Sequence, residues 1–233
     1  MKMFQTSSLL SLALVSLSFA PLRAGEPDWL TVVGLYPQPG SVTGQSEQAI
    51  LLWLQKARTN QDVDRAVSEN HLTFGCYAAD IHLPAVSSDP SVSAGARPID
   101  LRDFPRTEAV LEQARADMAP VLDSLQATFS RPHPYVLNAA LTPALPAPAS
   151  FSYPGTHAAV GALYAEILRQ WDPADQDAFR ATGTLIGTDR VLGGVHYPSD
   201  AEAGQRFGRA FATYWIDQPE HLKLIQTACE EWK

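Results

Sequence analysis

From about residue 46 onwards, apolar and polar positions alternate with a helical rhythm. Ile50, Trp53, Leu54 and Ala57 recur at three- and four-residue steps and predict an amphipathic helix, with Ser46 placed to cap its start. A second helix is expected from Gln61 to about His71, and the Pro-, Ser-, Gly- and Ala-rich stretch from Leu83 to Pro98 reads as a loop. A long helix follows from about Pro105 to Thr128, with Leu111, Ala114, Met118, Val121, Leu122 and Leu125 on its apolar face. Pro120 is expected to kink it. The segment from Arg131 to Pro154 holds six prolines and reads as irregular. Three further helices are predicted. The first runs from Thr156, as cap, to Trp171. The second opens on Asp172-Pro173 and stops at Gly193-Gly194. The third opens at Ser199, which has capping-box spacing to Glu202, and buries Ala203, Phe207, Ala210, Phe211 and Tyr214. Small residues, among them Ala158, Gly161, Ala162 and Gly204, suit close helix packing. No period-2 run or hairpin dipeptide competes. The expected architecture is all-α, one domain over residues 25–233, without internal repeats.

The first 24 residues follow a different pattern. Lys2 is followed by an apolar run from roughly Leu9 to Ala20 and then by Arg23-Ala24, the layout of a secretory signal peptide. The run is shorter than the about 20 residues that span a bilayer. Export to the periplasm or beyond is therefore expected, with no stable membrane insertion. Gly25 to Gly44 reads as an extended arm.

Charge narrows the partners. The chain carries 17 basic and 25 acidic residues, a formal charge of −8. Removing the leader takes away two basic residues and no acidic one, giving −10. Such an excess repels nucleic acid and anionic membrane surfaces. The only two cysteines, Cys76 and Cys229, suggest one disulfide in an exported protein, with two buried thiols as the alternative. No His/Cys/Glu cluster has metal-ligand spacing, so no metal or other cofactor is expected.

Three segments in the second half carry candidate chemistry. Phe129-Ser-Arg-Pro-His-Pro-Tyr135 ends the long helix. Ser152-Tyr-Pro-Gly-Thr-His-Ala158 opens another, where free backbone N–H groups and the helix dipole favour an anion, and Gly155 allows close approach. His157 in that first turn is placed to pass a proton to a leaving oxygen. In the third segment Arg190 precedes His196 and Asp200. A carboxylate one turn after a histidine fixes the ring's tautomer and frees the other nitrogen as nucleophile or base. Arg190 offers a planar fork to a tetrahedral oxyanion. The ordinary alternatives are a capped helix with a surface histidine, and a structural His–Asp pair beside a salt-bridged arginine.

These motifs resemble the type 2 phosphatidic acid phosphatase superfamily, which includes the vanadium haloperoxidases, and most closely its soluble bacterial class A acid phosphatases. Arg190-x5-His196-x3-Asp200 resembles that superfamily's S-R-x5-H-x3-D motif. Tyr153-Pro154-Gly155-Thr156-His157 resembles P-S-G-H, and Arg131-Pro132-His133-Pro134-Tyr135 resembles the R-P-R-P-F found within the soluble enzymes' first motif. The resemblance implies a helical fold and metal-independent phosphomonoester hydrolysis through a phosphohistidine. It implies that His196 attacks phosphorus, Asp200 holds His196, and His157 protonates the leaving alcohol. It assigns the phosphate oxygens to Arg190 and to backbone N–H groups near Gly155 and Thr156, with Arg131 or His133 in the first motif.

The chain also departs from the pattern. The superfamily's first motif reads K-x6-R-P; in one register its lysine falls on Gln126 and its arginine on His133, and sliding by two keeps Arg131 but puts the lysine on Ser124. Either way the lysine is absent. Asp189 replaces the serine before Arg190. Three readings follow: an exported acid phosphatase acting on a small phosphomonoester; a phosphate-binding or structural periplasmic protein of the same fold; and a vanadate-dependent haloperoxidase, which the missing lysine disfavours. His71, His82, His221 and the five tryptophans read as surface or packing residues. The Pro/Ala-rich segment from Leu141 to Ser150 is either a lid over the site or a plain connection.

Overall fold

The computed structural model describes residues 25–79, 83–84, 96–97 and 101–232. The expected leader, residues 1–24, and His82 lie outside the described residues. The fold is all-α. Ten helices are described: α1 (Trp29–Val33), α2 (Val42–Ala57), α3 (Asn60–Ser68), α4 (Phe74–Ala79), α5 (Pro105–Phe129), α6 (Pro134–Leu137), α7 (Thr156–Trp171), α8 (Gln176–Leu192), α9 (Pro198–Ile216) and α10 (Leu222–Cys229). Leu83–Pro84 and Ala96–Arg97 form a two-residue antiparallel pairing inside the stretch expected to be wholly irregular. No described helix is long and apolar enough to cross a membrane.

Helix α7 is the centre. From Ala158 to Leu168 every residue is buried, and α8 and α9 pack along it. Small residues make this possible. A Cβ on Gly161 would lie 2.6 Å from the Gly183 carbonyl oxygen, so α7 and α8 cross with their backbones in near contact. On the other side Gly204 and Gly208 of α9 meet the backbone of α7. Around this trio, Val110, Leu111, Met118 and Leu125 of α5 join Phe179, Phe207 and Trp215 in the main core. The start of α5 has no side-chain cap of its own. Instead the Glu231 carboxylate accepts from the Arg106 and Thr107 N–H groups, both at 2.8 Å, which ties the C-terminal turn to the core.

Several local expectations need correction. Ser41, not Ser46, caps α2: its hydroxyl accepts from Gly44 N at 3.0 Å after the Pro39-Gly40 turn. The buried face of α2 is Gly44, Glu47 and Leu51, whereas Ile50 and Trp53 are 44% and 66% exposed. Glu47 displaces the more apolar residues because its charge is paired inside. Thr156 is the first residue of α7 rather than its cap, which is Gly155. Asp172 caps a short 3₁₀ turn, Pro173–Asp175, that leads into α8. Helix α9 begins at Pro198, and Asp200 rather than Glu202 closes its cap, accepting from Tyr197 N at 2.7 Å. Cys76 and Cys229 are free thiols: Cys76 sits by the Thr73 hydroxyl on α4 while Cys229 packs at the end of α10, so the expected disulfide is not formed.

Candidate active site

Four pieces of chain meet at one end of α7: its first turn, the last turn of α8, the first turn of α9 and the segment after α5. The turn between α8 and α9 is tightly tied. Gly194 takes a left-handed φ of 79°, and the N–H groups of Val195 and His196 both bond to the Arg190 carbonyl, at 3.1 and 3.3 Å. Gly155 N donates to the Asp200 carbonyl at 2.9 Å. A Cβ on Gly155 would stand 3.1 Å from that same oxygen, so a glycine lets the starts of α7 and α9 lie together.

His196 is buried, and its Nδ1 lies 2.9 Å from the Ser152 carbonyl and 3.4 Å from Asp200 Oδ2. Two acceptors at Nδ1 favour the tautomer protonated there, leaving a lone pair on Nε2. Asp200 is completely buried. Its Oδ2 also accepts from Tyr197 N and the Ser152 hydroxyl, and its Oδ1 accepts from Arg131 Nη1 at 2.5 Å. Arg131 thus turns to carboxylates rather than to an anion pocket. Its Nη1 also donates to Ser199 Oγ at 2.8 Å and its Nη2 to Glu47 at 2.9 Å. Its guanidinium lies 3.8 Å from the Tyr197 ring centre and 4.8 Å from that of Tyr36.

On the other side are Arg190 and His157. Arg190 is buried, and its Nη2 donates to the Ala66 carbonyl and to Glu69, at 3.2 Å for the latter. Its Nε has no partner, and neither does His157 Nε2, although both atoms are buried. Burial, then Arg190, then His196 push the His157 imidazole down to about 3, so it is neutral in the free protein near pH 5–7. Asp189 points away from this pair. It receives Arg65 Nε and Nη2 at 2.6 and 2.8 Å, which neutralises the carboxylate next to Arg190.

Of the first-motif positions, Gln126, Arg131 and His133 are all buried beside these groups. Gln126 is buried and its amide donates to the Pro154 carbonyl at 2.9 Å and to Thr156 Oγ1 at 3.0 Å. Ser124, the alternative lysine position, is exposed. The His133 ring lies 5.1 Å from that of His196, and its two nitrogens face the Val195 and Ser150 carbonyls at 2.6 and 2.8 Å. Burial and His196 lower its pKa, opposed by those carbonyls. The segment after Leu141 is anchored here too: Ala144 N donates to the Gly193 carbonyl at 2.8 Å, and Leu145 packs on Val195.

Glu47, Arg65 and Glu69 are site residues that motif reading misses. They lie on or just after α2 and α3, where no motif exists; the available signal was a charge on the inner face of a helix, Glu47 one turn before Leu51. A cavity of about 920 Å³, lined by Asp28, Trp29, Asp117 and Tyr214 among others, shares no residue with the site. Vanadate as a resident group fits poorly, because the lysine position holds an uncharged Gln126 whose amide is already engaged.

A scan against protein-family models finds no match. A non-specific acid phosphatase of Providencia stuartii is 32% identical over 81 residues, 35% of this chain and 33% of that protein. The match thus spans about a third of that relative's length. Among solved structures, the transmembrane PAP2-type phosphatidylglycerolphosphate phosphatase of Bacillus subtilis aligns over 88% of this chain and 94% of its own, with TM-score 0.51 and 16% identity. A bacterial vanadium-dependent iodoperoxidase aligns over 79% of this chain and 50% of its own, with TM-score 0.55 and 14% identity.

Proposed function

We propose that this chain, which has the helical fold of the PAP2/haloperoxidase superfamily, is an exported phosphatase that hydrolyses small phosphomonoesters through a phosphohistidine, without a metal. One observation carries the reading. In a protein of charge −8, two buried nitrogens lack partners, Arg190 Nε and His157 Nε2, and the His157 ring lies within electrostatic reach of both Arg190 and His196. Buried polar atoms are nearly always paired in a folded protein, so an anion ligand is the natural missing partner.

In the proposed reaction, His196 Nε2 attacks phosphorus in line, and the bond from phosphorus to the leaving oxygen breaks. Arg190 and the free N–H groups at the start of α7 hold the equatorial oxygens; Gly155 N is excluded from that set because it serves Asp200. The Ser152 carbonyl and Asp200 hold the Nδ1 proton as the ring becomes cationic. His157, neutral in the free enzyme, receives its proton with a monoanionic phosphoester, whose second ionisation lies near 6. The bound phosphate offsets Arg190 and raises the ring's basicity, so that proton passes to the leaving oxygen. His157 then takes a proton from water, which attacks phosphorus and releases His196. An acidic optimum follows, because the monoanion is lost as pH rises.

The deciding experiment is p-nitrophenyl phosphate hydrolysis, with acid-quench trapping of labelled phosphate. Wild type is expected to turn over in EDTA and His196→Ala to lose both turnover and covalent label. A label that persists in His196→Ala overturns the nucleophile assignment. Gln126 also supports a second reading, a protein of this fold that binds phosphate without turnover, since a cation of the clamp is missing. Saturable phosphate binding with no hydrolysis of any phosphoester is the outcome that selects it.

A further inference from the structure

We infer that Glu47 and Arg131 are positioning residues that set the charge behind the His196–Asp200 pair, an inference that rests on the phosphohistidine reading above. The buried array contains one cation between two carboxylates: Arg131 reaches Asp200 at 2.5 Å and Glu47 at 2.9 Å, and both partners are nearly inaccessible. Glu47 also accepts the Ser199 N–H at 2.7 Å, in the first turn of the helix that carries Asp200. A single side chain on α2 therefore grips both the cation and the backbone one residue before Asp200. Tyr36 and Tyr197 flank the guanidinium and hold it in place.

The charge count explains why such a device is useful. Arg131 paired with Asp200 alone would be neutral, and the cation formed on His196 would have no net counter-charge behind it. Glu47 restores one negative charge to the array. It does so without contact with substrate, from a position 84 residues before Arg131 in sequence. The other titratable groups facing His196 are His133 after α5 and His157 on α7, while Arg190 on α8 acts on His157 and Tyr197 beside α9 lies against Arg131 and Asp200. None of these bonds to the Asp200 carboxylate except through the Tyr197 backbone N–H.

The test compares Glu47→Gln with Arg131→Met in the full chain. The first keeps an oxygen for Ser199 N and removes one negative charge; the second removes the cation. The His196 ring is followed by NMR titration, and kcat and KM are measured across pH. Glu47→Gln is expected to move the His196 titration midpoint and the acid limb of kcat/KM to lower pH. It should also lower kcat about tenfold at unchanged KM, a figure on the scale of about 1.4 kcal/mol. Arg131→Met is expected to move the midpoint the opposite way, and Glu47→Asp to recover most of the loss. Shifts of opposite sign are not produced by loosened packing. Unchanged midpoints in a folded Glu47→Gln protein overturn the inference, as does a rise in KM alone, which would return Arg131 to phosphate binding. Wild type without phosphatase activity would sink the functional reading while the titration midpoints still decide this one.

Discussion

Gln126 stands where the resemblance calls for a lysine, and its amide bridges Pro154 and Thr156 at the start of α7. Those two oxygens are acceptors for an ammonium as well, so Gln126→Lys has partners in place. The added charge is expected to lower the inhibition constant of inorganic phosphate about tenfold, or about 1.4 kcal/mol. A Ki equal to wild type would mean that position 126 does not face the anion. His157 gives a second residue-scale prediction, in stability. Its folded pKa, about 3, lies below the unfolded 6.5. The neutral ring is therefore favoured by folding, and that contribution is complete above 6.5 and is lost as pH falls towards 3. The slope in this window is at most about 1.4 kcal/mol per pH unit. Urea unfolding of wild type and His157→Gln at pH 7, 5 and 4 checks it. The gap between wild type and variant should close or reverse on acidification, and added phosphate should reopen it for wild type. A gap independent of pH would contradict the depressed pKa.

Helices α7 and α8 bring His157 and Arg190 together only because Gly161 and Gly183 face each other where they cross. Gly183→Ala forces a methyl into the opposite backbone and is expected to cost about 1–3 kcal/mol. In a domain of this size that lowers Tm by about 2–4 °C per kcal/mol. It should also depress kcat/KM, since the two helices carry His157 and Arg190. Gly40→Ala, with nothing within 4 Å of the added carbon, is the control that should change neither. Differential scanning calorimetry and the phosphatase assay read both effects; a silent Gly183→Ala would remove the close-crossing argument. These long helices are legible in sequence because their apolar positions recur at helical spacing and proline or glycine marks their ends. The face of α2 is not, because Glu47 wins an inner position through an ion pair with a residue 84 positions away. The start of α9 shifts for a similar reason: Asp200 serves the cap and the site at once, so Ser199 and Glu202 match the spacing but do not make the bonds. His196, Asp200, His157 and Arg190 converge as their motif spacing suggests. Glu69 and Arg65, which hold Arg190 and its neighbour, lie where the sequence offers no motif.

Across the whole molecule, charge and proposed ligand have the same sign. The chain carries −8, yet the proposed substrate is an anion. Attraction must come from groups close to the phosphate, chiefly the start of α7 and Arg190, whose Nε has no partner although its Nη2 meets Glu69, because Arg131 and Arg65 are each turned to carboxylates. These two fields respond differently to salt. At about 10 mM ionic strength the screening length is about 30 Å and the repulsion of the whole surface reaches an approaching phosphoester; at about 100 mM it is about 10 Å. Contacts inside a buried site are screened much less. Salt should therefore remove more repulsion than attraction, and kcat/KM for p-nitrophenyl phosphate is expected to rise about twofold between those two conditions through faster association, with kcat unchanged. The measurement is a steady-state series in sodium chloride at fixed pH. The same series with a neutral ester analogue as competitive inhibitor should show no trend in its inhibition constant. A fall in kcat/KM with salt would mean that the cationic site dominates the field outside the protein, and that the acidic surface is arranged away from its mouth.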